Sequence, residues 1–170
     1  MKGFTLVEIL IVIAVLSIVM AGLFSLLNIA DLSWYTDMGI VDLQQQARRA
    51  MDGMVREIRQ SKYTTINISD GGQRIDFKIP IDLTSSPVTY SDNITYHLDS
   101  TNHAVVRSYA GTNNITIGSD INYLNFSSSG NIVNIVLNTK KTTHQREIYF
   151  PSKIAGVEQF LVEKVRLRNE

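Results

Sequence analysis

The chain has 170 residues with 16 basic and 16 acidic side chains, no cysteine, three prolines and 44% hydrophobic residues. That balance fits one modest domain with an appendage and argues against disorder. A net charge of zero leaves no basic field to hold a nucleic-acid backbone, no nucleic-acid-binding motif occurs, and a cysteine-free chain has no disulfide frame, thiolate nucleophile or zinc finger.

The first element is apolar. From Ile9 to Ala30 run 22 residues without a charge, about 33 Å as a helix against roughly 30 Å of bilayer hydrocarbon. Lys2 precedes this run, and no Lys or Arg follows it until Arg48. The positive-inside rule therefore predicts a cytoplasmic N-terminus, a single span and an exported bulk. Trp34 and Tyr35 lie just beyond, either at the headgroup level or against the globular domain. A secretory signal cut after Asn28-Ile29-Ala30 would need an apolar core longer than such signals carry, and Glu8 within the apolar segment opposes it. Glu8 itself has two readings. A carboxylate among Phe4, Leu6, Val7, Ile9 and Leu10 is costly in lipid and marks a functional site with a partner. Equally, Thr5-Leu6-Val7-Glu8 has the spacing of a capping box, in which Glu8 satisfies a backbone N–H at the helix start.

Gly3-Phe4-Thr5-Leu6-Val7-Glu8, followed at once by a long apolar helix, resembles the class III signal of type IV pilins and pseudopilins. The resemblance implies that a prepilin peptidase cuts after Gly3 and methylates the new N-terminal Phe4, leaving a leader of residues 1–3. It also implies that Glu8 faces the terminal amine of a neighbouring subunit, so that Phe4, Thr5 and Glu8 serve subunit assembly. The physical rationale is that the freed amine, with a reference pKa near 8, is largely protonated at neutral pH and pairs with a carboxylate. The proline that major pilins usually carry 22 residues into the mature chain is replaced here by Ser25.

Residues 31–62 continue the helix as an amphipathic half, with Ile40, Leu43, Ala47, Ala50, Met51, Met54 and Ile58 three or four apart on one stripe. The opposite face carries Arg48, Arg49, Asp52, Arg56 and Arg59 as a solvated charge cluster or a contact to acids of a neighbouring subunit, with Asp52 and Arg56 at favourable i, i+4 spacing. No proline interrupts Phe4 to Lys62, while Gly22, Gly39 and Gly53 are places for local bending, with close helix packing an alternative at Gly22.

Beyond Lys62 the pattern turns to period two. It predicts strands at Arg74–Ile79, Asn93–Leu98, Ala104–Tyr109, Asn122–Phe126, Ile132–Leu137 and Arg146–Phe150. Breaks fall at Gly71-Gly72, Ser85-Ser86-Pro87, Gly111, Ser127 to Gly130 and Pro151. The predicted fold is α+β and pilin-like, a long N-terminal helix, half transmembrane and half amphipathic, packed on an antiparallel sheet. Its parts are the leader 1–3, the filament-core helix 4–30, the amphipathic helix 31–62 and an exported β-rich domain 63–170.

No catalytic, metal or cofactor constellation is expected. His97, His103 and His144 lack ligand spacing, and Ser100 beside His97 and Asp99 lacks a nucleophile elbow. Ser69-Asp70-Gly71-Gly72 and Asp92-Asn93 offer oxygens to calcium, which some pseudopilins bind, but neither matches a calcium loop and turn chemistry accounts for them.

A narrower likeness comes from Ala47-Arg48-Arg49-Ala50-Met51, Arg56-Glu57-Ile58-Arg59, Ile94-Thr95-Tyr96-His97-Leu98-Asp99 and Val165-Arg166-Leu167-Arg168-Asn169, which are similar to PilW/PulJ-type minor pilins. Major pilins commonly close a C-terminal loop with a disulfide, and a cysteine-free chain does not. The resemblance implies a non-enzymatic minor pilin that primes a type IV pilus and enters it. Its partners would be other minor and major pilins or pseudopilins, the prepilin peptidase, an inner-membrane assembly platform and membrane lipid, with no nucleic acid supported. The alternatives are a minor pseudopilin of type II secretion and, in a different class, a single-pass anchored binding or enzymatic domain that never polymerises.

Overall fold

The computed structural model describes residues 5–82, 86–143, 146–152 and 158–167. They form two compact units that meet between Met38 and Gly39.

The first unit is helix. α1 spans Leu6–Gln60 without a break, and its residues up to Met38 belong here. Every apolar side chain from Leu6 to Ile29 that is large enough to matter is about half exposed or more. The hydroxyls inside this run are satisfied along the helix itself, Ser17 Oγ donating to the Ile13 carbonyl at 2.8 Å and Ser25 Oγ to that of Ala21 at 3.1 Å. The helix therefore hides its polar groups and shows its apolar ones. Gly22 does not interrupt it, and a Cβ there would meet nothing within 4 Å.

The second unit packs the remainder of α1 on two antiparallel sheets. The strands are β1 Asn67–Ser69, β2 Arg74–Phe77, β3 Pro80–Asp82, β4 Thr89–Tyr90, β5 Ile94–Asp99, β6 Ala104–Tyr109, β7 Asn113–Gly118, β8 Ile121–Ser129, β9 Ile132–Thr143, β10 Arg146–Phe150 and β11 Leu161–Arg166. One sheet has the order β1-β2-β5-β6-β7. In the other, β8 lies on one side of β9, while β10 and β11 pair with successive stretches of its other side. β3 and β4 form a separate ribbon. Hairpins close where the backbone turns left-handed: Gly130 (φ 55) between β8 and β9, Ala110 and Gly111 between β6 and β7, and His103 after β5, where Asp99 Oδ1 accepts from the Thr101 and Asn102 amides.

The predicted stripe of α1 is the seam. Leu43, Ala47, Ala50, Met51, Met54 and Ile58 are buried, and most join Ile75, Phe77, Tyr96 and Val105 of the first sheet and Leu124, Phe126, Val133, Ile135 and Leu137 of the second in a single core. Ile40 lies only half-buried at the stripe's start. Small residues set the approach: a Cβ on Gly118 would stand 2.9 Å from the Ala50 Cβ and 3.2 Å from the Gln46 carbonyl.

Two carboxylates each gather several donors. Glu57 of α1 accepts from Tyr96 Oη at 2.9 Å and from Arg107 Nε at 2.9 and 3.1 Å, tying the helix to β5 and β6, and burial beside this carboxylate pushes the Tyr96 hydroxyl up. Asp76 alternates with the buried Ile75 and Phe77 along β2, yet it is only 9% exposed itself and accepts from Arg74 at 2.9 and 3.0 Å, from Thr95 Oγ1 at 2.5 Å and from Asn93. Burial opposes its charge, but these donors outweigh it and hold the carboxyl below the usual carboxylate range. Among the described residues Asp52 and Arg56 do not close their i, i+4 pair.

Glu57→Ala leaves the Tyr96 hydroxyl and the Arg107 guanidinium without their shared acceptor and is expected to destabilise the full chain in detergent by about 2–4 kcal/mol, read from its urea midpoint. The depressed Asp76 pKa stabilises the fold above the ordinary aspartate value of about 4 and ceases to do so as pH falls through its folded value. Asp76→Asn should therefore lose less of its stability between pH 7 and pH 3 than the native chain does, in the same titration.

Candidate functional site

The site singled out by sequence is the helix start. Gly3 and Phe4 lie outside the described residues, as does His144. Thr5 stands as the N-cap of α1, and Glu8 is in its first turn. The capping box is made: the Glu8 amide bonds to Thr5 Oγ1 at 3.4 Å, and the Thr5 amide and hydroxyl donate to Glu8 Oε2 at 3.3 and 3.4 Å. The Thr5 carbonyl accepts from Glu8 N at 3.1 Å and Ile9 N at 3.3 Å.

Both side-chain bonds fall on the same carboxylate oxygen. Glu8 Oε1 has no partner among the described residues, so capping leaves half of the carboxylate available. Cleavage after Gly3 would keep the Thr5 amide intact, because Phe4 still precedes it. The cap and a new N-terminal amine are thus separate groups, and the two readings of Glu8 are compatible. Beside it, Glu8, Ile9, Val12 and Ile13 line a shallow depression of about 300 Å3 on an otherwise uncovered apolar surface.

The remaining candidates are dispersed. His97 sits half-buried on β5, and its Nδ1 is buried without a hydrogen bond. His103 is exposed in the left-handed turn before β6. Asp70-Gly71-Gly72 forms a 3-10 turn with φ of 52°, 63° and 95°, held by Asn125 Nδ2 donating to the Gly71 carbonyl at 3.0 Å. A Cβ on Gly72 would approach the Phe126 carbonyl to 2.9 Å, so packing against β8 accounts for Gly72 and the left-handed φ for Gly71. Trp34 is 66% exposed on α1. One cluster had no signal in any single motif: Lys164 and Arg166 of β11 share a groove of about 470 Å3 with Arg59, Gln60 and Leu167.

Residues 1–24 match the family model of the prokaryotic N-terminal methylation motif, the class III prepilin signal, and the chain is consistent with the type IV pilin and pseudopilin superfamily. No curated protein and no solved structure matches the chain. α1, which carries most of the matched residues, is by length and composition long and apolar enough to cross a membrane.

Glu8→Gln keeps the capping geometry and removes the charge, whereas Glu8→Ala removes both. Amide exchange at the first turn of α1 in micelles should be unchanged in Glu8→Gln and rise roughly fivefold in Glu8→Ala, the equivalent of about 1 kcal/mol for a lost cap.

Proposed function

We propose that this chain is a minor pilin: inserted with its N-terminus in the cytoplasm, cut between Gly3 and Phe4, methylated on Phe4, and packed through α1 into a type IV pilus whose assembly it primes. The role is structural rather than enzymatic. The observation that carries the reading is the match of residues 1–24 to the methylation motif on a helix whose large apolar side chains from Leu6 to Ile29 are exposed. Lipid covers that surface before assembly and the helices of neighbouring subunits cover it afterwards. Glu8 Oε1 is the acceptor for a neighbour's Phe4 amine, a pairing that gives each charge a partner that hydrocarbon does not supply. Support for a minor rather than a major subunit comes from the absence of cysteine for a C-terminal loop disulfide and from Ser25 where major pilins usually have proline. Prepilin peptidase, an assembly platform in the inner membrane and other pilins are the partners this reading requires.

The test is the intact mass and N-terminal sequence of membrane-extracted protein with and without the peptidase. A methylated Phe4 start that depends on the enzyme is expected, and a Met1 start in its presence would overturn the reading. In the same host, Glu8→Gln should lower incorporation into filaments at least tenfold, as far as Glu8→Ala does, because the charge and not the cap is what the neighbour reads.

A further inference from the structure

β11 has one open edge. Among the described residues Leu161–Arg166 pairs with β9 and with no other strand. Alternate backbone N–H and C=O groups of β11 therefore point away from the sheet, and no other described element takes them up. The register sorts the side chains. Val165 stands opposite Val133 on the core face, where both are buried, and Glu163 opposite Ile135 shares that face. Val162, Lys164 and Arg166 lie on the other face beside Val136, Asn134 and Ile132, and all three are exposed. Arg59 and Gln60 at the end of α1 line a groove of about 470 Å3 with Lys164, Arg166 and Leu167. Arg74, Arg107, Lys140 and Lys141 are paired with Asp76, Glu57, Glu147 and Asp42, but Arg59, Lys164 and Arg166 make no ion pair among the described residues.

We propose that the open edge of β11 accepts an extended acidic segment of a different protein as an added antiparallel strand. Backbone hydrogen bonds seat the segment, while Arg166 and Lys164 select two acids at alternate positions, followed two residues later by an apolar side chain against Val162. An acid between the second of these and the apolar residue would stand opposite Glu163, so the edge reads alternation and not net charge alone. Single exposed ion pairs contribute little affinity, but across an edge they choose partner and register. A second copy does not supply the segment, because nowhere in the sequence do two acids stand two residues apart. The same cations oppose pairing between two β11 edges. β7, an exposed edge of the first sheet, carries no charge with which to make such a selection. The inference concerns the second unit by itself and stands whether or not the chain enters a filament.

The probe is the peptide Thr-Glu-Thr-Glu-Thr-Val-Thr, with Thr-Lys-Thr-Lys-Thr-Val-Thr as control, added to the full chain in micelles. At millimolar acidic peptide, amide exchange at alternate residues of Leu161–Arg166 is expected to slow at least tenfold, with no slowing by the lysine peptide. Lys164→Glu together with Arg166→Glu should reverse the two outcomes, and the gained response to the lysine peptide shows that the variant is folded. Exchange that the acidic peptide leaves unchanged, or that both peptides slow equally, overturns the proposal, as does a variant with a native urea midpoint that still prefers the acidic peptide. Slowing that grows with the chain's own concentration in the absence of peptide gives the edge to a second copy and also overturns it. Peptide binding that leaves β11 exchange untouched reduces the cations to an anion site without strand addition, and overturns it equally.

Discussion

A helix that is apolar on every side has no stable position in water. From Leu6 to Ile29 the large side chains of α1 stay exposed, with Leu6 at 78% and Ile18 at 74%. Covering one such side chain is worth about 1.5–3 kcal/mol relative to water. The rest of the molecule is arranged around that demand. Serine hydroxyls in the run bond to carbonyls one turn back, the first turn is capped from within, and Gly22 leaves the helix unbroken. Each feature lowers the polarity presented to hydrocarbon, and none supplies a cover. Lipid and the apolar faces of other helices cover such a surface at similar cost.

The same helix changes character after Met38. Its apolar residues narrow to one stripe, and two sheets close over it with small residues where backbones approach, Ala47 and Ala50 on the helix and Gly118 on β7. Glu57 is the polar counterpart of that seam. By accepting from a tyrosine on β5 and an arginine on β6 it fixes the rotation of α1 against the first sheet, which apolar contacts alone leave less specified. On the second sheet Lys141 reaches Asp42 at 2.5 Å from the β9 side. A helix held by these contacts presents its opposite face, with the arginines, in one orientation only.

What was legible in sequence follows from how many residues each signal spans. The helix was readable because an apolar period persists through it, and Ala104–Tyr109 and Arg146–Phe150 were read with their observed bounds because turn residues flank them. β9 runs on to Thr143, past the expected Leu137, because its last residues pair with β10 without alternating apolar side chains. β11 escaped for a related reason: only Val165 of Leu161–Arg166 is buried, so its strand identity comes from pairing with β9 and not from its own pattern. β7, an exposed Asn-rich edge, gave no amphipathic signal, and the short β1, β3 and β4 gave none either. The single expected sheet is two sheets and a ribbon, since period two says which face is buried but not which strands are neighbours. At the helix start the Thr5–Glu8 spacing announced the cap, while the division of labour between the two carboxylate oxygens is a matter of geometry alone. Glu57 and Arg107 are separated by fifty residues, a distance at which no motif operates.

An acid near the end of an apolar helix is tolerable because the cap already neutralises part of its cost. Glu8 Oε2 is occupied by two donors of its own chain, and the positive end of the helix dipole lies beside it. Oε1 keeps its acceptor capacity, and on the proposed reading a donor of a neighbouring subunit would fill it. On that reading the apolar surface supplies the area for packing, and the unfilled acceptor sets how far along the helix the next subunit settles.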